Sequence, residues 1–307
     1  MIPDRVRRMG NPIAVTVPVF SRVGKLESLF RSVETFGIED VYVADDGEKT
    51  DAKEELYSTD WDFSLTVIDL PYDAGVGKKR EMLSTRPDEE YLLFLDSDME
   101  VPHNYELLYE QLEERPDSGG VCGMYLEPGR ISTVSSDFYE EDGTLYRGVR
   151  TRKEIETVAG APYVEFDFHP QVGLFRKECF EDYTWDDFYT IMREHIDFFL
   201  GHWKQTDWTF GLCPEVLIPH YPGGSANYRS HRESEEKFER SDRYFCEKWG
   251  YDEMVIENDR WIDTYDAETR SFHLSSDFDR FRIRTREQGA VDGLRFAAEK
   301  LVERFLY

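Results

Sequence analysis

The chain has 307 residues, of which 40% are hydrophobic and 15% aromatic, so it can bury the core of one large domain or two small ones. Its formal net charge of -27, from 64 acidic and 37 basic residues, argues against a general nucleic-acid binder, because such proteins neutralise phosphates with basic patches. No apolar run approaches the roughly 18 residues of a spanning helix, and the first ten residues lack the apolar core of a secretory signal.

Two features of the composition concern the protein's environment. Arg outnumbers Lys by 26 to 11, and an acidic, lysine-poor surface is typical of proteins kept soluble in very high salt, where screening weakens self-repulsion. We therefore expect a halophilic source. The cysteines form no CxxC pair and are expected to be reduced thiols of a cytoplasmic protein: Cys122, Cys179, Cys213 and Cys246.

The first half of the chain alternates apolar runs with segments of helical period. Strands are predicted at residues 13–17, 40–44, 65–70, 91–95 and 120–125, and helices at residues 23–35, 78–84 and 105–114. This alternation indicates a Rossmann-like α/β fold with a mostly parallel central sheet flanked by helices. Ligands bind beyond the carboxyl ends of such strands, and polar clusters follow three of them, at residues 18–22, 45–46 and 96–98.

The pattern loosens after about residue 130. Two short strand-like runs lie within residues 162–175, and further strands are predicted at residues 209–212 and 216–219. Helices are predicted at residues 188–203 and 234–249. Residues 290–306 predict an amphipathic tail helix, which packs on its own domain or touches a membrane surface.

The segment Asp96-Ser97-Asp98 directly follows an apolar strand, so both carboxylates emerge at its end and point the same way. Two carboxylates on one side repel each other unless a cation lies between them. A divalent ion held by one or two carboxylates and by phosphate oxygens suits a nucleoside diphosphate, and it would neutralise that leaving group as a Lewis acid. The sequence therefore predicts a metal and diphosphate site here.

Four motifs occur in a fixed order along the first hundred residues. They are TVPVFSR at residues 16–22, VADDG at 43–47, GVGKKR at 75–80 and LDSD at 95–98. Together they resemble the family 2 glycosyltransferases of the GT-A fold, over roughly residues 13–100 and more weakly to about residue 250. The resemblance implies an inverting transfer of a sugar from a nucleoside-diphosphate sugar, most often a UDP- or GDP-sugar, with Mg²⁺ or Mn²⁺. With the acidic composition, it suggests a member from a halophilic archaeon.

The resemblance also implies a domain plan. A GT-A domain would cover residues 11–250, with a nucleotide-sugar half at residues 11–125 and an acceptor half at residues 126–250. A helical C-terminal extension would follow at residues 251–307.

Several donor-binding residues follow from the same resemblance. Pro18, Phe20 and Arg22 would line the nucleotide pocket. Asp45 would hydrogen-bond the base, and Asp46 would support it or the ribose. Two alternatives remain open, because Asp46-Gly47 could form only a turn and residues 78–80 could form only a solvated helix face.

The metal and diphosphate contacts are implied in the same way. Arg80 would touch the diphosphate or the Asp96–Asp98 loop. Asp96 would face the ribose or a metal-bound water, and Asp98 would ligate the metal. His220 lies where many such enzymes place an additional metal-ligating histidine, with His231 as its competitor. Two residues depart from the family pattern, Asp73 and Glu81, and two arginines of the Gly-rich loop are candidate phosphate contacts, Arg229 and Arg232.

The segment REHIDFFL at residues 193–200 resembles the stretch that carries the catalytic base in the family. An inverting transfer needs a base that takes the proton of the acceptor hydroxyl. In register, Glu194 falls on the family's Glu and His195 on its Asp. His195 is basic near neutral pH, and Glu194 and Asp197 share one helical face. The base remains open among these three residues.

The acceptor is not readable beyond an expected glycan or lipid-linked glycan. The tail helix suggests peripheral contact with the inner face of the cell membrane, in an otherwise cytoplasmic protein. Two rival functions remain at this stage: a sugar nucleotidyltransferase and a catalytically silent nucleotide-sugar-binding protein.

Overall fold

The computed structural model describes residues 12–128, 130–151, 153–223, 234–257, 262–266 and 271–274, with residues 294, 297 and 298. Within these ranges no helix is long and apolar enough to cross a membrane. Three residues of the predicted tail helix are described, and they are helical: Leu294, Ala297 and Ala298. The loop candidates Arg229, His231 and Arg232 lie outside the described residues.

The first half of the chain alternates strands and helices, as predicted. Its elements are β1 (Ile13–Val19), α1 (Val23–Phe36), β2 (Asp40–Asp45), α2 (Asp51–Ser58), β3 (Ser64–Asp69), α3 (Val76–Thr85), β4 (Tyr91–Phe94), α4 (Glu106–Glu114) and β5 (Ser118–Glu127). Every residue of β1 is buried, as expected of a parallel strand covered on both faces. Val15 and Val17 face an apolar cluster with α1 and α4, whereas Ala14 faces an aromatic cluster on the opposite side.

The second half is richer in short strands. Its elements are β6 (Arg130–Ser132), β7 (Asp137–Glu141), β8 (Thr144–Gly148), β9 (Glu156–Val158), β10 (Ala161–Glu165), β11 (Gly173–Arg176), α5 (Cys179–Asp182), α6 (Glu194–Gln205), β12 (Thr209–Pro219), α7 (Glu235–Trp249), β13 (Glu253–Ile256), β14 (Ile262–Asp266) and β15 (Ser271–Leu274). The aromatic cluster lies between the sheet and α6, where Phe198 and Phe199 are fully buried.

The central sheet has ten strands in the order β3-β2-β1-β4-β11-β5-β12-β10-β9, with β6 paired to β5. Strands β3, β2, β1 and β4 are parallel neighbours. Strand β11 lies antiparallel between β4 and β5, and β12 is parallel to β5. Strands β1 to β5 and β12 therefore share one direction, which confirms the predicted mostly parallel α/β sheet. A small sheet, β13-β8-β7, and the pair β14-β15 accompany it.

The structure differs from the sequence prediction in several boundaries. The strands predicted at residues 209–212 and 216–219 form one strand, β12, whose register shifts between Leu212 and Leu217. Helix α6 begins at Glu194 rather than at residue 188, because Met192 and Arg193 adopt the left-handed region with φ of 57° and 69°. Residues 251–307, predicted as helical, also contain β13, β14 and β15.

Candidate active site

A cleft of about 340 Å³ opens beyond the carboxyl ends of β1, β2 and β4. The structure brings eight of the predicted site residues together in its wall: Pro18, Phe20, Arg22, Asp46, Arg80, Asp96, Glu194 and His195. Four other predicted residues do not line it: Asp45, Asp98, Asp197 and His220. The predicted donor-binding residues of the first half thus face two predicted base residues of the second half across one cleft.

The turn after β1 connects the first motif to the Asp96–Asp98 segment. Arg22 caps α1 with a left-handed backbone, φ 73°. Its guanidinium donates to the Ser97 hydroxyl at 3.0 Å and forms an ion pair with the Asp98 carboxylate. Arg22 therefore contacts the predicted metal ligand directly.

Asp98 and His220 lie side by side. The His220 Nε2 is 3.6 Å from the Asp98 carboxylate, and its Nδ1 is 2.8 Å from the Glu127 carboxylate. Burial alone would raise the pKa of Asp98, but His220 and the Arg22 charge lower it below its usual range. Burial alone would lower the pKa of His220, but the carboxylates of Asp98 and Glu127 raise it. The three side chains form a chain of alternating charge.

Asp96 does not join the group of Asp98, His220 and Glu127, because it is paired with Arg80. The Arg80 guanidinium donates to the Asp96 carboxylate at 3.0 Å and lies over the Trp185 ring at 5.2 Å. Among the described residues, no three His, Cys, Asp or Glu side chains lie close enough together to hold a metal ion. Only the pair Asp98 and His220, out of the predicted metal ligands, is in mutual contact here.

Two basic residues of α3 are buried, so the alternative of a solvated helix face is wrong for them. Arg80 is 1% exposed, and its Nε has no partner among the described residues. Lys79 is 7% exposed and donates to the Asp46 carboxylate at 2.6 Å. Burial lowers the pKa of Lys79, although the Asp46 carboxylate partly offsets the effect. Only Lys78 of the triplet reaches outward, to Glu81 and Asp187.

The two aspartates at the end of β2 differ in their surroundings. Asp46 accepts from the Gly75 N–H at 2.8 Å as well as from Lys79, so it is more than a turn residue. Asp45 accepts from the Lys53 ammonium and the Tyr57 hydroxyl, each at 2.7 Å, and from the backbone N–H of the adjoining turn. Its carboxylate is therefore occupied by the protein itself, away from the cleft.

The glycines before α3 permit a close backbone approach. The Val76 and Gly77 N–H groups donate to the carbonyls of Thr190 and Tyr189 at 3.0 and 2.9 Å. A Cβ at Gly75 would lie 2.5 Å from the Thr190 Cα, and φ there is +105°. These glycines therefore join α3 to the segment before α6, and this contact connects the two halves of the chain.

Glu194 and His195 begin α6 at the cleft wall. Glu194 is buried, and its carboxylate accepts from the His195 Nδ1 at 3.2 Å, while its Oε2 has no partner among the described residues. Burial alone would raise the pKa of Glu194, but the neighbouring His195 and Arg80 lower it to about 2. A carboxylate and an imidazole thus meet at the wall of the cleft.

Asp197, the third candidate base, is fully buried and saturated with donors. Its carboxylate accepts from the hydroxyls of Tyr183 and Tyr189 at 2.9 and 3.1 Å. It also accepts from the Lys248 ammonium and the Trp249 indole N–H, both at 2.8 Å. The structure therefore separates Asp197 from the other two candidates.

The sequence reasoning missed part of the cleft wall. Asp73 and Lys237 form an ion pair across it, with Asp73 in the left-handed region at φ 56°. Gln171 and Met192 also line the cleft. Asp73 departs from the family pattern in the sequence, whereas Lys237 carries no signal there, because it lies in a predicted helix without a motif.

Comparisons with known proteins bear on the family and the fold of the chain. The model of the family described as glycosyl transferase family 2 matches residues 15–184. A crystal structure of S. aureus TarS 1-349 in complex with UDP-GlcNAc matches with a TM-score of 0.53 and 15% identity, over 78% of this chain and 67% of that chain. A longer S. aureus TarS chain matches with a TM-score of 0.49 and 15% identity, and the match spans only 40% of its length. No curated protein sequence matches significantly.

Proposed function

Because this chain belongs to glycosyl transferase family 2 and has the GT-A fold, we propose that it transfers a sugar from a UDP- or GDP-sugar to a hydroxyl of a glycan or lipid-linked acceptor. The observation that carries the proposal is the shared cleft, in which donor-type residues face Glu194 and His195. The UDP-GlcNAc bound by TarS supports a nucleotide-sugar donor of this kind.

The charges of the cleft suit an anionic donor. In a chain of net charge -27, its wall carries Arg22, Lys79, Arg80 and Lys237. Each of these cations is paired with an aspartate, so the local charge is nearly balanced rather than strongly negative. A diphosphate can therefore take over part of these ion pairs without facing the repulsion of the outer surface.

For the nucleobase, we propose the apolar rim of the same cleft. Phe20 lies in the wall, and its ring centroid is 5.6 Å from that of Tyr72. Aromatic faces of this kind stack on the flat face of a base regardless of its identity. Stacking on Phe20 and Tyr72 therefore does not distinguish uracil from guanine.

We propose Asp98, Asp96 and His220 as ligands of Mg²⁺ or Mn²⁺, of which Asp98 and His220 are in contact whereas Asp96 is paired with Arg80. The donor set fits such an ion, because Glu127 holds His220 Nδ1 and leaves Nε2 facing the Asp98 carboxylate. Binding requires the neutral ring and therefore competes with a proton. When bound, the cation supplies Lewis-acid neutralisation of the leaving diphosphate. Arg22 adds a guanidinium that contacts the same Asp98 carboxylate.

For the chemical step, we assign the base to His195 and its orientation to Glu194. The acceptor oxygen bonds to the sugar C1 from behind as the bond from C1 to the diphosphate breaks, which inverts C1. The hydroxyl proton passes to the His195 ring, whose Nδ1 is held by the ionised Glu194 carboxylate. The diphosphate departs with the bonding electrons toward Arg22 and Arg80.

The wider setting belongs to the same proposal. The GT-A domain would cover residues 11–250, with donor and acceptor halves that meet near residue 125, and residues 251–307 would be an extension. We further propose a cytoplasmic enzyme of a halophilic archaeon, whose amphipathic tail at residues 290–306 touches the inner face of the membrane.

A binding screen followed by a transfer assay tests the function. UDP- and GDP-sugars are expected to raise the Tm, more so with Mn²⁺, and His195→Gln is expected to keep this shift while losing transfer by about 10²–10⁴-fold. Wild-type transfer in His195→Gln would overturn the base assignment. Donor hydrolysis without transfer to any acceptor would favour a silent binder, and synthesis of a nucleotide sugar would favour a nucleotidyltransferase.

A further inference from the structure

The four donors that Asp197 binds come from different parts of the second half. Tyr183 and Tyr189 belong to the segment before α6, whereas Lys248 and Trp249 end α7. We call these five residues the Asp197 hub. Lys248 and the fully buried Asp197 form an ion pair at 2.8 Å that is only partly buried, because the Lys248 side chain reaches the surface. Burial alone would lower the pKa of Lys248, but the carboxylates of Asp197 and Asp186 raise it.

The hub also reaches the donor half of the cleft. Tyr189, whose hydroxyl donates to Asp197, offers its backbone carbonyl to the Gly77 N–H at 2.9 Å. Gly77 belongs to the first turn of α3, the helix that carries Lys79 and Arg80. Two hydrogen bonds, both made by Tyr189, therefore connect the buried Asp197 carboxylate to the helix that carries Lys79 and Arg80.

On the other side, the hub fixes the start of α6. Asp197 lies one turn after Glu194, and its own N–H donates to the Arg193 carbonyl at 2.8 Å. Arg193 has φ 69°, an uncommon value for a residue with a side chain, so this turn depends on its surroundings. Ser241 of α7 adds a hydrogen bond to the Ile191 carbonyl at 2.7 Å.

We propose that Asp197 is a positioning residue that fixes Glu194 and His195 relative to the cations of α3, and that it takes no proton in the reaction. This inference rests on the proposed glycosyl transfer. Its physical basis is that a misplacement of about 1 Å at a reacting centre costs on the order of 10²-fold in rate. A carboxylate already saturated by four donors also has little capacity left for a substrate proton.

Single-donor variants test the role without removing the carboxylate. Tyr189→Phe and Trp249→Phe each delete one hydrogen bond to the same Asp197 oxygen, from two different elements. We expect each to lower kcat by about 10-fold or more while the apparent pKa values of the pH–rate profile stay unchanged. If Asp197 were the base, losing a donor would move the acid limb of that profile, and such a movement would overturn the proposal.

Tyr163→Phe is the matched control. Tyr163 is fully buried and donates one hydrogen bond, to the Ser118 hydroxyl at 3.2 Å, outside the cleft wall. We expect Tyr163→Phe to lower the Tm, as the hub variants do, but to keep the wild-type kcat. The same kcat in all three variants would overturn the positioning role of Asp197. Sugar transfer by the wild type would still support the proposed function. A wild-type protein that transfers no sugar would remove both.

Discussion

Glu194 and His195 are neighbours in sequence with different access to the cleft. The Glu194 side chain is 6% exposed and that of His195 is 26% exposed. The buried carboxylate can therefore orient the ring, and the more exposed ring can reach an incoming hydroxyl. In the proposed mechanism, Glu194 holds the position of the ring and His195 exchanges the proton.

The lowered pKa of Glu194 has a consequence for stability. Burial alone would raise it, but His195 and Arg80 hold it at about 2, below the ordinary 4.5. The unfolded chain then takes up the proton first as pH falls, so the stabilisation is complete above pH 4.5 and is lost toward pH 2. We expect the free energy of unfolding of the wild type to fall more steeply in this window than that of Glu194→Gln.

Denaturant unfolding at a series of pH values measures this difference. Glu55→Gln, which removes an exposed carboxylate of α2, should follow the wild-type curve. Parallel curves for wild type and Glu194→Gln would contradict the prediction.

Glu127 tests the proposed metal site from its outer side. Its carboxylate binds His220 Nδ1 at 2.8 Å, and loss of such a partner typically weakens metal binding by about 10–100-fold. We expect that loss of Mn²⁺ affinity in Glu127→Ala, measured by titration of the protein with UDP present. As a control, Glu215→Ala, at an exposed position of β12, should bind Mn²⁺ like the wild type. Wild-type Mn²⁺ affinity in Glu127→Ala would contradict the prediction.

At the scale of elements, α3 and the segment before α6 behave as one unit because two backbones meet at Gly75 and Gly77. A methyl group at position 75 would meet backbone atoms of Thr190 and would also strain a φ of +105°. We expect Gly75→Ala to lower the free energy of unfolding by about 1–3 kcal/mol and to reduce transfer. Thermal denaturation with an activity assay measures both.

Gly24→Ala supplies the control for that variant. Gly24 lies in the first turn of α1, and a Cβ there would meet nothing within 4 Å. The change should be neutral or stabilising by about 0.5–1 kcal/mol, since alanine loses less backbone entropy on folding. Equal effects of the two substitutions would show that the backbone contact is unimportant.

The elements that form the proposed donor site could be predicted because their buried residues recur at regular intervals along the chain. The predictions for β1, α1 and β2 agree with the structure to within two residues at each end. Helix α2 was missed because it is mostly polar and buries only Lys53 and Leu56. The early start predicted for α6 is wrong because the carbonyls of Tyr189 and Thr190 bond to the first turn of α3, a long-range contact that no local pattern shows.

The same limit applies to the site. The four motifs predicted Arg22, Arg80 and Asp96 as neighbours, and all three line the cleft. The sequence could not distinguish Asp197 from Glu194, because both carboxylates stand on α6 and only the tertiary partners separate them.

For the whole molecule, the net charge of -27 predicts a strong dependence on salt. Repulsion among surface carboxylates is screened over about 10 Å at 0.1 M salt, so added salt should stabilise the compact state. We expect the Tm to rise already below about 0.1 M KCl and to continue rising toward molar salt. The same Tm in dilute buffer and in molar KCl would contradict this prediction and the halophilic source.

The position of β11 also governs the order in which the chain can fold during synthesis. Strands β4 and β5 are not neighbours, because β11 lies between them. A nascent chain that has emerged only to residue 128 would therefore leave one edge of β4 and both edges of β5 without their partners in the central sheet, with buried residues exposed. The proposed donor half is thus not a folding unit by itself. It needs residues 173–176 and β12 from the acceptor half, so the ribosome must deliver most of the chain before the first half becomes stable.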